Sequence, residues 1–113
     1  MKIELLYIPG CPHRDPAAQM LSDVLRDLDQ SEKVIDTKVS DLAQATAASF
    51  PGSPTIRING QDVEPGMPES RDHGLSCRTY IVHGKRQGFP QREWIYQAIL
   101  SAAEDDAGAE SRL

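Results

Sequence analysis

Apolar residues occur in short blocks, and their period changes along the chain. Residues 2–8, KIELLYI, form a brief apolar run stopped by Pro9 and Gly10, which predicts a buried strand. Over residues 16–29, Ala17, Met20, Leu21, Val24, Leu25 and Leu28 recur at three and four residues. That is the helical period, and Asp15 is a plausible local cap. Residues 33–39, KVIDTKV, cluster β-branched side chains and predict a second strand. Ser40 and Asp41 then open a short helix over 41–50, with Asp41 suited to its N-terminus and Pro51 and Gly52 closing it.

Residues 55–64, TIRINGQDVE, give the sharpest local signal. Ile56 and Ile58 alternate with Arg57, and Asn59 and Gly60 supply the positive φ angles of a two-residue hairpin turn. Residues 65–76 read as a loop and 77–83, CRTYIVH, as one more short strand. Residues 84–88 look turn-like. Residues 90–103 predict a helix with Pro90 near its start and a stripe of Trp94, Ile95, Ala98, Ile99 and Ala102. Residues 104–113 are acidic and small, with little to bury, and predict a frayed tail. The order β-α-β-α-β-β-(β)-α predicts one α/β domain over 1–103 with a tail over 104–113. Its central mixed β-sheet is flanked by helices, and its first crossover is right-handed.

At 113 residues the chain is one domain's worth. A net charge of −5 argues against a general nucleic-acid or anionic-membrane binder, since both need a basic face. The apolar run over 3–8 is broken by Glu4 and ended by Pro9, too short for a secretory segment. No stretch approaches the roughly 20 apolar residues of a membrane span. A soluble, cytoplasmic protein is expected. Its two cysteines, Cys11 and Cys77, are too few for a disulfide scaffold. In that setting a separated pair suits a free thiol, a redox pair or a metal ligand.

Cys11 follows the first strand and precedes the first long helix, in Gly10-Cys11-Pro12-His13-Arg14. Ser53-Pro54-Thr55 stands immediately before the hairpin. With the element order, these two motifs resemble the thioredoxin-like superfamily. The resemblance is to small bacterial members with GCP near the start, FPGSPTIRING at residues 50–60 and GLSC at residues 74–77. Some of those relatives carry labels tied to alkylmercury lyase. The resemblance implies a thioredoxin-like fold, a cis peptide bond at Pro54, and Pro54 lying against Cys11. One departure matters: the familiar Cys-x-x-Cys motif has Arg14 in its fourth position here. A monothiol site, or one whose second thiol comes from elsewhere, is the nearer analogy.

The thiolate is the reactive form of cysteine, and a free thiol titrates near ~8.5. A helix N-terminus favours the thiolate through its unsatisfied N–H groups and dipole. Arg14, one turn along, and protonated His13 would add positive charge, and Pro12 fits a first helical position. The expected catalytic set is therefore Cys11, Arg14, Pro54 and Cys77. Cys77 would be a possible resolving thiol carried to Cys11 by the preceding loop, or else a small core residue. The substrate would be a thiol or disulfide, protein or low-molecular-weight, with no cofactor. Two other readings stand beside this one. Cys11 and Cys77, with His13 and His73 as C-x-H and H-x3-C pairs, suit a soft metal or organomercurial, although neither pair has structural-zinc spacing. The other is an adaptor without chemistry. Arg57, Asp62, Glu64 and Arg71 read as a solvated surface.

Overall fold

The strand β1 (Ile3–Tyr7) runs through the middle of a four-stranded sheet and feeds the helix α1 (Arg14–Asp27). The computed structural model describes residues 1–66 and 74–110, with side chains through Glu104. After α1 come β2 (Val34–Lys38), the short helix α2 (Leu42–Ala47), β3 (Thr55–Ile58) and β4 (Gln61–Asp62). The chain ends with β5 (Tyr80–Val82), β6 (Lys85–Gln87) and α3 (Arg92–Glu110). The main sheet has the order β2-β1-β3-β4. β1 pairs parallel with β2 and antiparallel with β3, so the sheet is mixed and the protein is an α/β structure.

Side-chain alternation along β1 decides the layers. Ile3 and Leu5 face a core shared with Ala17, Leu21, Val24 and Leu25 of α1 and Ile95, Ile99 and Ala102 of α3. Leu6 faces the other side, with Val39, Ala45 and Phe50 around α2. Period 2 in the strand meets period 3.6 in the helices, and each buries its apolar side. Asp41 caps α2 by accepting from the Gln44 N–H at 2.8 Å, as its position predicts.

Several boundaries move. α1 begins at Arg14, the earlier start that the sequence pattern over 16–29 leaves open, and α2 ends at Ala47, short of the 41–50 that Asp41 and Pro51 bracket. Residues 84–88 are not merely a turn. Lys85–Gln87 form β6, which pairs antiparallel with β5 in a separate two-stranded sheet. The turn itself is His83 and Gly84, at φ 51° and 77°. Histidine is among the residues that tolerate this left-handed region, so His83-Gly84 makes the turn where Asn-Gly is usual. The predicted strand over 77–83 shrinks to Tyr80–Val82. α3 takes in residues 104–110, assigned from composition to a tail. Alanine and glutamate are strong helix formers, so the backbone continues after the apolar stripe ends. No helix among the described residues is long and apolar enough to cross a membrane.

Candidate functional site

Cys11 sits at the exit of β1 on a stiff corner. Its N–H donates to the Ile8 carbonyl at 3.3 Å, across Pro9 and Gly10. Proline followed by a glycine at φ 74° is the sequence of a type II turn. The Cys11 carbonyl then accepts from the Arg14 N–H at 3.4 Å, closing a second turn before α1. The helical ladder proper starts with the Ala17 N–H on the His13 carbonyl, at 3.1 Å. Pro12 therefore occupies this second turn rather than the first helical position. Cys11 is half-buried, Cys77 is exposed, and both are free thiols.

Ser53 connects the two cysteine segments. Its hydroxyl accepts from the Ile8 N–H at 3.0 Å, holding the root of the Cys11 corner. Its own N–H donates to the Ser76 carbonyl at 2.9 Å, and its carbonyl accepts from the Arg78 N–H at 2.9 Å. These two bonds make a parallel bridge in which Cys77 lies opposite Ser53. Ser53 is fully buried, and the Ser53-Pro54 peptide bond is cis, as the resemblance implied.

What fixes the Cys77 segment is the next residue. Arg78 is only 2% exposed. Its guanidinium makes a two-pronged contact with the Asp62 carboxylate, at 2.5 and 2.9 Å, and lies 3.5 Å from Glu64. It also donates to Thr55 Oγ1 at 3.0 Å and stacks 4.4 Å from the centre of the Tyr80 ring. Burial by itself works against the Arg78 charge. The Asp62 hydrogen bonds, Tyr80 and the charges of Asp62 and Glu64 outweigh it and hold the group above its ordinary value. Tyr80 donates its hydroxyl to the Pro54 carbonyl at 2.5 Å, and Thr55 donates to the Gly52 carbonyl at 2.6 Å. Residues 52–55 are thus clamped from the 76–80 side.

Sequence reasoning missed this network. Asp62 and Glu64 are not a solvated surface: their side chains are 10% and 20% exposed because they receive the buried Arg78. Arg57 likewise has work, donating to the Ala48 and Ser49 carbonyls at the end of α2, each at 2.8 Å. The available signal was two acids, Asp62 and Glu64, at the hairpin's end with one arginine inside an otherwise apolar block, a pattern that fits a buried pair.

Arg14 is engaged by carboxylates. It pairs with Asp15 at 2.9 Å and Asp36 of β2 at 2.5 Å, and lies 5.0 Å from the centre of the Tyr7 ring. Hydrogen bonds to Asp15 and then Asp36 hold its guanidinium above its ordinary value. The His13 ring lies 6.4 Å from Phe89, and a side chain added at Gly88 would strike it. Both positive groups expected beside the sulfur therefore have other partners. Among the described residues no three His, Cys, Asp or Glu side chains converge on a metal position. Arg71 and His73 lie outside the described residues. A groove of about 490 Å³ lined by Glu64, Pro65, Thr79, Ile81, Arg86 and Trp94 contains neither cysteine. Trp94 is half-buried there, its ring 6.2 Å from Tyr80, while Ile95 and Ile99 take the core positions of α3. The chain matches no protein-family profile, no curated protein and no solved structure.

Proposed function

We propose that the protein is a thiol-dependent redox protein of thioredoxin-like architecture, with Cys11 as nucleophile and Cys77 as the resolving thiol. The observation that carries the reading is the double attachment of Ser53. One residue holds the Cys11 corner through its hydroxyl and faces Cys77 through its main chain. The cis peptide at Pro54 and the position of Cys11 between β1 and α1 are further support.

In the reaction, the Cys11 thiolate attacks one sulfur of a disulfide R–S–S–R. That S–S bond breaks, one thiolate leaves and takes up a proton, and Cys11 carries a mixed disulfide. The Cys77 thiolate then attacks the Cys11 sulfur and expels the second thiolate. Two electrons pass from the protein dithiol to the substrate. Two equivalents of a thiol run the same steps backward.

The test is alkylation and disulfide mapping. Cys11 in the folded, reduced protein should alkylate at neutral pH faster than in the urea-unfolded chain, although it is half-buried. Mild oxidation should then give a Cys11–Cys77 bridge by mass spectrometry. Slower alkylation than in the unfolded chain, with no bridge, overturns the reading.

A further inference from the structure

The main-chain groups of Ser53 and several of those around Cys11 are already paired. Among donors, the N–H of Cys11 is taken by the Ile8 carbonyl and that of Ile8 by the Ser53 hydroxyl. The N–H of Ser53 is taken by the Ser76 carbonyl, and Pro9, Pro12 and Pro54 have none. Among acceptors, the Ser53 carbonyl takes the Arg78 N–H, the Cys11 carbonyl takes the Arg14 N–H, and the Pro54 carbonyl takes the Tyr80 hydroxyl.

An extended polypeptide that docks on a protein does so chiefly by adding main-chain hydrogen bonds along an exposed edge. Ser53 would be such an edge, and residues 76–78 of the chain itself already cover it. That cover is anchored rather than loosely laid. Gly74 donates to the Phe50 carbonyl at 3.3 Å, and Arg78 is fixed to Asp62 inside the fold. Gly52 is packed so closely below it that an added Cβ would lie 2.9 Å from the Arg78 Cβ. A small disulfide needs none of these groups. It needs only its two sulfurs in line with the Cys11 sulfur.

Resting on the redox reading above, we infer that residues 76–78 seal the main-chain edge beside Cys11, so that the substrates are low-molecular-weight thiols and their disulfides, not extended polypeptides. The same seal explains how an exposed residue such as Cys77 keeps a fixed backbone position opposite Ser53.

The experiment uses the full chain carrying Cys77→Ser, so that Cys11 is the single thiol. Two reagents with the same thiopyridine leaving group are compared: activated 2-mercaptoethanol, and a short uncharged peptide with an activated central cysteine. Rates of thiopyridine release are measured for the folded chain and for the urea-unfolded chain, which supplies the intrinsic preference between the reagents. The folded chain should favour the small reagent over the peptide by at least about tenfold more than the unfolded chain does, the order expected if two main-chain hydrogen bonds must open first. Equal preference in the two states, or a folded-state preference for the peptide, overturns the inference and leaves the redox reading intact. If neither reagent reacts with the folded chain faster than with the unfolded one, the redox reading fails and the inference falls with it.

Discussion

Arg14 and Arg78 each follow a cysteine closely, and each meets two carboxylates among the described residues, yet the side chain of Arg14 is 32% exposed and that of Arg78 is fully buried. Around Arg14 the corner is made by turns: proline, glycine and two main-chain hydrogen bonds shape it before any side chain contributes. Around Arg78 the order is reversed. Residues 76–78 have a single bridge to Ser53, and the buried arginine holds them there. The half-buried Cys11 therefore rests on local turns with one long-range bond from Ile8 to Ser53, and the exposed Cys77 on a long-range ion pair. The contrast teaches that a cysteine's exposure and the firmness of its backbone are separate quantities.

The contrast breaks most sharply at Asp62. Asp62→Ala takes from the buried Arg78 cation the carboxylate that receives two of its hydrogen bonds, and removing one partner of a buried pair should cost about 3 kcal/mol. Urea unfolding monitored through Trp94 checks this. The sign of the pH dependence follows from the raised Arg78 value. A cation held above its ordinary pKa contributes its full stability below that range and loses it only as pH rises through the folded value. The wild-type contribution from Arg78 should thus be unchanged between neutral and mildly alkaline pH. Next in size is Gly52→Ala. Gly52 has φ 139°, and an added Cβ would meet the Arg78 Cβ at 2.9 Å and the Ser76 carbonyl at 3.2 Å. Strain of that kind costs about 1–3 kcal/mol, and the 76–78 segment should yield first. Slower Cys11–Cys77 bridging on mild oxidation is the expected sign.

The same contrast explains which parts of the molecule could be read from sequence. Helix α1 was legible because Ala17, Leu21, Val24 and Leu25 repeat at the helical period and do become its buried residues. The β3–β4 hairpin was legible because Asn59 and Gly60 encode their own turn. Cys11 was legible as a corner because Pro9 and Gly10 are local signals. Arg78 was not, because its partners Asp62 and Thr55 stand far earlier in the chain. Charge beside a hydrophobic block looks like a strand edge until the pairing is known. The β5–β6 hairpin was hidden for a smaller reason: His83 stands where asparagine is usual, and the exposed Ile81 and Arg86 give no clean alternation. Arg14 was legible as a charge near Cys11, but not in its direction, since Asp36 lies on the neighbouring strand β2.

A smaller effect is expected at Ser53. Ser53→Ala leaves the Ile8 N–H without its acceptor while keeping both main-chain bonds to residues 76 and 78. The cost should be about 1–2 kcal/mol. The Cys77 side stays in place and the Cys11 side loosens, so bridging should slow although Cys77 alkylates at the wild-type rate. An equal change at both cysteines would mean that the two segments are not independently held.

The smallest effect on stability is expected at Asp36, and it sharpens what Arg14 does. The Arg14–Asp36 pair is partly exposed on both sides, and pairs of that kind contribute about 0–1 kcal/mol. Asp36→Ala should therefore barely move the urea midpoint. It does remove the carboxylate that draws the guanidinium toward β2, leaving Asp15 of α1. If Arg14 acts on the thiol, the freed charge favours the thiolate, and Cys11 should alkylate about two- to threefold faster at low salt. The gain should fade at high ionic strength, because charges near the surface are screened within about 10 Å at 0.1 M salt. An unchanged rate at every salt concentration would leave Arg14 as a tether between α1 and β2, and the reactivity of Cys11 would then rest on its corner alone.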